Sequence, residues 1–508
     1  MRRSLSVGAL LLIPSTLLAQ ADGVRRAVES ITEHDVRHRI GVLAHDSMRG
    51  RSTPSPEIEK TAAYVASQFE SFGLGPGGDE DSFIQRYGLE ITQLDTTTSQ
   101  VSLDDGTVWR FTSDVVRVFG GYAPEGASGP TVIATGLVDP EAGLDEGSLE
   151  GAVVLYVVQP GERGEMARES QVSMFSLYRQ NPAALILVTS PSDAAWSARM
   201  RQQMRPGVRV GWRGGDGTPV LMVRRETAVS ILGAAGLDSS DVASRSGESL
   251  HMWRPDGPRI TVTVGRRVIE KQSAPNVAGV LEGSDPLLKN EYIVFSAHMD
   301  HVGVGRPVNG DSIYNGADDD ASGTAAVIEL AQAFASMQPR PKRSMIFLTV
   351  SGEERGLWGS DYFASRPPVP IEQIVADLNI DMIGRNWSDT VVVIGKEHSD
   401  LGQTLNRVAE RHPELDMAPI DDIWPEENFY RRSDHFNFAR RGVPVLFFFT
   451  GTHDDYHRPS DHAELIDAEK EARIVRLIFY LGLEVANAAE RPKWDPESYK
   501  AIVGPPVP

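Results

Sequence analysis

Residues 292–337 read YIVFSAHMDHVGVGRPVNGDSIYNGADDDASGTAAVIELAQAFASM, and their order of textures decides the fold. The stretch opens on an apolar run, 292–297, of strand length and β-forming composition. It closes on 323–337, where Val327, Leu330, Ala331 and Phe334 recur at helical spacing and make one apolar face. A strand leading through a polar loop into an amphipathic helix is the repeating unit of an α/β sheet. The polar residues gather at two points: His298 and Asp300 where the strand ends, and Asp318, Asp319 and Asp320 just before the helix.

The alternation continues downstream. Residues 344–350, 374–380, 390–394 and 443–450 read as strands, Leu401, Leu405, Val408 and Ala409 mark a helical face, and 468–488 reads as a long helix. This pattern predicts an α/β fold with a mixed, mostly parallel sheet and helices on both faces. In such sheets ligands collect outside the carboxyl ends of the strands. His298 follows one predicted strand, Glu353 and Glu354 follow a second, Asp381 closes a third, and His457 lies in the loop after a fourth. Asp319 sits in the loop leading to the 323 helix.

Two imidazoles and three carboxylates form the donor set that holds a pair of zinc-like ions through one shared carboxylate. Three carboxylates bring three negative charges against four positive ones, and a bridging hydroxide completes the balance. Glu353, next to a ligand, is then free to act as a general base. Asp300 stands two residues after His298, so at a strand end both face the same way; its carboxylate is placed to accept the other ring N–H of His298. Singly these residues have plainer readings: a strand-end histidine, a helix-capping acid run, a surface glutamate pair. Asp381 is harder to dismiss, because an acid between Ile380 and Met382 in an apolar strand needs a partner. As a set they point to a metal-dependent hydrolase. His301 reads as a loop residue. His453 and His462 flank the last ligand position without replacing it, and Asp434-His435 reads equally as packing or as cleft lining.

The chain has 508 residues, enough for two or three domains, and a formal net charge of −20, which disfavours nucleic acid as a partner. It contains no cysteine, so thiol catalysis and cysteine-held zinc are excluded. Arg2 and Arg3, the apolar run 5–18 and Ala19-Gln20-Ala21 read as a cleavable signal peptide over 1–21, with no cysteine for lipid attachment. The expected location is secreted or periplasmic, with no membrane span in the mature chain. Residues 30–75 read as helices and 83–125 as strands. Residues 126–255 differ, with short β runs at 131–135, 152–158, 184–188 and 219–223, helical stretches at 165–179 and 225–235, and an Arg/Gly-rich loop at 197–217. That block reads as a small inserted domain. It splits a catalytic domain into 22–125 and 256–491 and leaves 492–508 as an irregular tail.

HMD, GADDDASG, GEE, NIDMIG and YHRPSD, in this order between about 276 and 462, resemble the co-catalytic di-zinc aminopeptidases with their phosphorylase/hydrolase-like fold. The segment LAHDSMRGRSTPSPEIEKTAAYVASQFESFGL resembles the leading part of exported members. LEGAVVLYVV, NPAALILVTS and TPVLMVRRETAVSIL resemble the β-rich protease-associated domain that some members carry as an insertion. The resemblance implies two Zn2+ per chain, with cobalt or manganese able to replace zinc. It implies Asp319 as the bridging ligand, His298 and Asp381 on one ion, Glu354 and His457 on the other, and Glu353 as the base. Tyr456 is then similar to a tyrosine that donates to the oxyanion, and the substrates are peptide or small-protein N-termini. Competing readings are a carboxypeptidase or dipeptidase of the same fold, a glutaminyl cyclase, and a non-catalytic receptor-like binding protein.

Overall fold

The computed structural model describes residues 15–139, 143–145, 147–159, 166–212, 217–234, 249–255 and 259–504, with the side chains from 22 onward. Most of the expected signal peptide therefore lies outside the described residues; a helix, Ser15–Glu29, runs through the expected cleavage point. The chain divides into two compact units. One comprises Met1–Tyr87 and Ser273–Pro508, the other Gly88–Gln272.

The first unit is built on a sheet whose strands alternate with helices. Its elements are helices α1 (Glu33–Leu43) and α2 (Pro56–Ser71), then the C-terminal part of strand β1 (Ile260–Leu281) and β2 (Tyr292–His298). Helix α3 (Gly323–Ser336), β3 (Ser344–Val350), α4 (Trp358–Ser365) and β4 (Ile374–Ile380) follow. The rest is β5 (Thr390–Ile394), α5 (Leu401–Arg411), β6 (Ala418–Ile420), α6 (His435–Ala439), β7 (Val445–Phe449) and α7 (Ala468–Asn487). The strand order is β6-β5-β7-β4-β2-β3-β1. The four central strands β7, β4, β2 and β3 are mutually parallel, whereas β1 on β3 and β5 on β7 are antiparallel. The mixed, mostly parallel α/β sheet expected from the alternation is what forms.

The register explains the near-continuous apolar strands. Phe295, Phe347, Leu378 and Phe448 face one layer, packing on α3 and α7 through Phe334, Ile478 and Phe479. Val294, Ile346, Leu348, Val445 and Phe447 face the other, against Phe363 of α4 and Phe438 of α6. A parallel sheet covered on both faces needs apolar residues at every position, so period-two alternation is lost. Four parallel neighbours also bring four carboxyl ends to one edge.

The second unit holds a six-stranded sheet in the order 251–253, 131–135, 153–157, 184–189, 219–224, 115–120, with parallel strands at its centre. Three expectations are corrected here. The unit is wider than 126–255, because Leu94, Val101, Trp109 and Phe111 upstream and Ile260, Val262 and Val264 downstream pack in one core with Ile133, Leu155 and Ile186. The segment 197–217 is not one exposed loop. Asp193–Gln203 is a helix, started where Ser192 accepts a hydrogen bond from the Ala195 amide and anchored by buried Trp196, and Gly207–Val210 is a strand. In the tail, Pro496–Ile502 is helical; Asp495 caps it by accepting from the Ser498 amide, and Pro496 supplies the preset first turn. Among the described residues, no helix is long and apolar enough to cross a membrane.

Candidate metal centre

The candidate ligands other than Asp319 are placed by the ends of central strands. His298 is the last residue of β2 and Asp381 the first after β4. Glu353 and Glu354 follow β3 by three and four positions, and His457 lies in the loop after β7. Asp319 arrives from the loop preceding α3, where the Asp319–Asp320 peptide is cis.

The donors fall into two overlapping groups. His298, Asp319 and Asp381 form one; His301, Asp319, Glu354 and His457 form the other. His298 Nε2 lies 3.2 Å from Asp319 Oδ1 and 3.6 Å from Asp381 Oδ1. His457 Nε2 lies 3.1 Å from both Asp319 Oδ2 and Glu354 Oε1. The two oxygens of Asp319 thus face different groups, the arrangement a bridging carboxylate requires. Asp319 Oδ2, Glu354 Oε1 and Asp381 Oδ1 are buried without a hydrogen-bond partner. Converging lone pairs of nitrogen and oxygen, with no donor between them, fit divalent cations of the zinc type.

His301 joins the cluster, contrary to its reading as a loop residue. Its Nδ1 is 2.8 Å from Glu354 Oε1 and 3.6 Å from Asp319 Oδ2, and its ring packs edge-on to that of His457. HMDH is the available signal: a histidine three residues past a ligand at a strand end can turn back into the same site. Asp300 plays a different part from the one expected. His298 Nδ1 is 3.1 Å from the Asp300 main-chain carbonyl, while the Asp300 carboxylate stands 3.9 Å away. That carboxylate instead accepts a hydrogen bond from the Glu353 amide at 3.2 Å, so it fixes the loop that carries Glu353.

The other two aspartates of the run are organisers. Asp320 accepts from the amides of His298, Gly323 and Met382, joining β2, α3 and the end of β4. Asp318 accepts from the Gly384 amide at 2.6 Å and faces His453 Nε2 at 3.2 Å. Asp461, in the YHRPSD motif, accepts from the amides of Asp318 and Asp319. His453 is thereby taken up beside Asp318, and His462 pairs loosely with Asp311 at 3.9 Å. Ser433 donates to Asp381 Oδ2 at 2.8 Å, and His435 stacks on Phe447, so RRSDHF lies directly behind one ligand.

The electrostatics follow from acids crowded in a buried place. Burial pushes the Glu353 carboxyl well above its ordinary range; Asp434, Asp381 and Glu354 add to this and His298 opposes it. Burial likewise raises Asp300 to about 6. For His457 burial works against the charged ring, but the adjacent Asp319 and Glu354 carboxylates prevail and lift it to about 10. The Tyr456 hydroxyl is pushed up by burial and by Asp319 and Glu354, so it keeps its proton at neutral pH. The Tyr456 ring stacks on His457 with centroids 4.0 Å apart.

Fold and donors together define a class: an α/β protein whose parallel strands end in a shared nitrogen-and-oxygen cation site. Residues 276–482 match the model of peptidase family M28. The chain is similar to a probable zinc metalloprotease of Pyricularia oryzae, 27% identical over 283 residues, covering 46% of this chain and 55% of that protein. It is also similar to a probable leucine aminopeptidase of Arthroderma benhamiae, 28% identical over 223 residues, covering 42% and 58%. The chain thus spans little more than half the length of these curated relatives. Among solved structures it is similar to the aminopeptidase from Aneurinibacillus sp. strain AM-1, at 17% identity and a TM-score of 0.49, covering 92% of this chain and 97% of that one.

Proposed function

We propose that this chain is an exported aminopeptidase that binds two zinc ions and hydrolyses the first peptide bond of peptides. The observation that carries the reading is the pair of donor groups sharing Asp319 at one sheet edge, with Glu353 in the loop beside them. His298, Asp319 and Asp381 would hold one ion; Asp319, Glu354, His457 and His301 would hold the other. When bound, the ions supply Lewis acidity, polarising the scissile carbonyl and acidifying an attacking water.

The chain's own residues do the rest. Glu353 takes the proton of the attacking water and returns it to the leaving amine, a task suited to a carboxylate whose pKa burial has raised. Asp300 holds the Glu353 main chain in place. Tyr456 offers its hydroxyl to the developing oxyanion. Acidic side chains left over at the site attract a free α-amine, which favours the aminopeptidase over a carboxypeptidase. The unit Gly88–Gln272 is taken as the protease-associated insertion, and residues 1–21 as the export signal.

The test is a panel of free and N-acetylated peptides, assayed before and after chelation, with metal content measured by elemental analysis. Expected are two zinc ions per chain, release of N-terminal residues only from free-amine peptides, and loss of activity on chelation. Equal cleavage of the acetylated peptides would overturn the aminopeptidase reading; absence of bound metal would overturn the hydrolase mechanism.

A further inference from the structure

The segment 43–53, within LAHDSMRGRST, is used by neither the donor set nor the base, yet it lies against three of the loops that carry them. Arg51 is 0% exposed. Its Nε donates to the Met299 carbonyl at 2.9 Å, between His298 and Asp300. One terminal nitrogen donates to the carbonyls of Leu43 at 2.8 Å and Asn315 at 2.6 Å, and the other to Gly316 at 2.9 Å. All these bonds go to main-chain oxygens; Asp300, Asp319, Asp320 and Asp461 act on the guanidinium only through space. Asn315 in turn donates to the Ala44 carbonyl and to Asp46. The third loop is reached through Thr53, whose hydroxyl accepts from the Gly352 amide at 3.1 Å and whose carbonyl accepts from Arg355. The fit is close: a Cβ at Gly50, where φ is +66°, would come within 2.3 Å of the Tyr314 carbonyl.

A guanidinium is a planar fork whose donors point in fixed directions, so four bonded carbonyls fix the separation of the main chains that carry them. Here those chains are the end of α1, the His298–His301 turn and the loop that delivers Asp319. A buried cation beside several acids also lowers the repulsion among them. We propose that Arg51 is a positioning residue of the metal centre: it sets the spacing of the His298/His301 turn and the Asp319 loop before any ion arrives. The inference rests on the proposal that these donors bind zinc.

The experiment compares the full chain with Arg51→Lys and Arg51→Met. Zinc affinity is measured by competition with a chromophoric chelator, the visible absorption of the cobalt-loaded protein is recorded, and thermal melting is followed without metal. Arg51→Lys keeps the charge and loses the fork. Both variants are expected to bind zinc about tenfold to a hundredfold more weakly, the range for groups that orient metal ligands, and to alter the cobalt spectrum. Lysine restoring wild-type affinity would reduce Arg51 to its charge and overturn positioning. Variants that melt lower but bind zinc unchanged when folded would overturn it too. Should neither variant fold, hydrogen exchange on the metal-free wild type decides. Protected amides at Met299, Ala317, Asp318 and Asp319 without zinc support the proposal, whereas protection gained only with zinc overturns it. A wild-type chain that binds no zinc would instead overturn the metal reading itself.

Discussion

At the scale of single residues, the proposed roles separate the groups that would hold cations from the one that would move a proton. Glu353 is absent from both donor groups, while Glu354, its neighbour, belongs to one. Glu353→Gln should therefore leave zinc content unchanged and lower kcat by about 10²–10⁴-fold, the contribution of a placed general base. Retained turnover would remove Glu353 from the mechanism. His301→Ala removes a nitrogen 2.8 Å from Glu354 Oε1 and should release one of two zinc ions far more readily than the other, seen as a split in chelator titration. All five sequence-derived ligand positions converge: four lie at or just past a strand end, and Asp319 enters from the loop before α3. His301 escaped because a histidine inside a loop carries no periodic signal. The Asp300 contact also escaped, since a two-residue spacing gives the direction of a side chain but not the distance to its partner.

At the scale of elements, helix α3 shows how tightly the ligand loops are tied to their supports. A Cβ at Gly323 would lie 2.1 Å from the Ile380 carbonyl and within 2.4–2.6 Å of the Asp320 carboxylate. Gly323→Ala must push the start of α3 away from β4, at a cost of about 1–3 kcal/mol, and loosen the Asp319 loop with it. Lower chemical stability together with weaker zinc binding is the expected pair of results; loss of one alone would uncouple helix from site. Midway along this support lies the buried pair Arg39–Glu329 joining α1 to α3. Arg39→Met strands Glu329, and urea unfolding should show a loss of about 3–5 kcal/mol. The α/β alternation was legible because four apolar strands are spaced by amphipathic helices. The width of the second unit was not, because strands 84–103 and 260–281 each run unbroken past the points where the two units divide, after Tyr87 and after Gln272, and no turn signal interrupts them there.

At the scale of the whole molecule, the crowded acids make stability and metal binding respond to pH in opposite directions. His457 has a folded pKa of about 10 against an ordinary value of 6.5, and His298 is also held well above that value. A raised imidazole pKa gives stabilisation that is complete below about 6.5 and disappears as pH rises through the folded value. Glu353, raised by burial, has the same sign, since its protonated form is the one the fold prefers, and its loss begins lower, above its ordinary value of 4.5. The metal-free chain should therefore melt at progressively lower temperature from about pH 6.5 to about pH 10. Zinc needs unprotonated imidazoles, so its binding releases protons and strengthens over the same interval. At free zinc of 100 times Kd the added stability is about 2.7 kcal/mol, and at fixed zinc this increment should grow with pH. Thermal melts of metal-free and zinc-loaded protein at several pH values give both curves. Parallel curves, with a zinc increment constant across the interval, would mean that the imidazoles at the sheet edge do not exchange protons for metal.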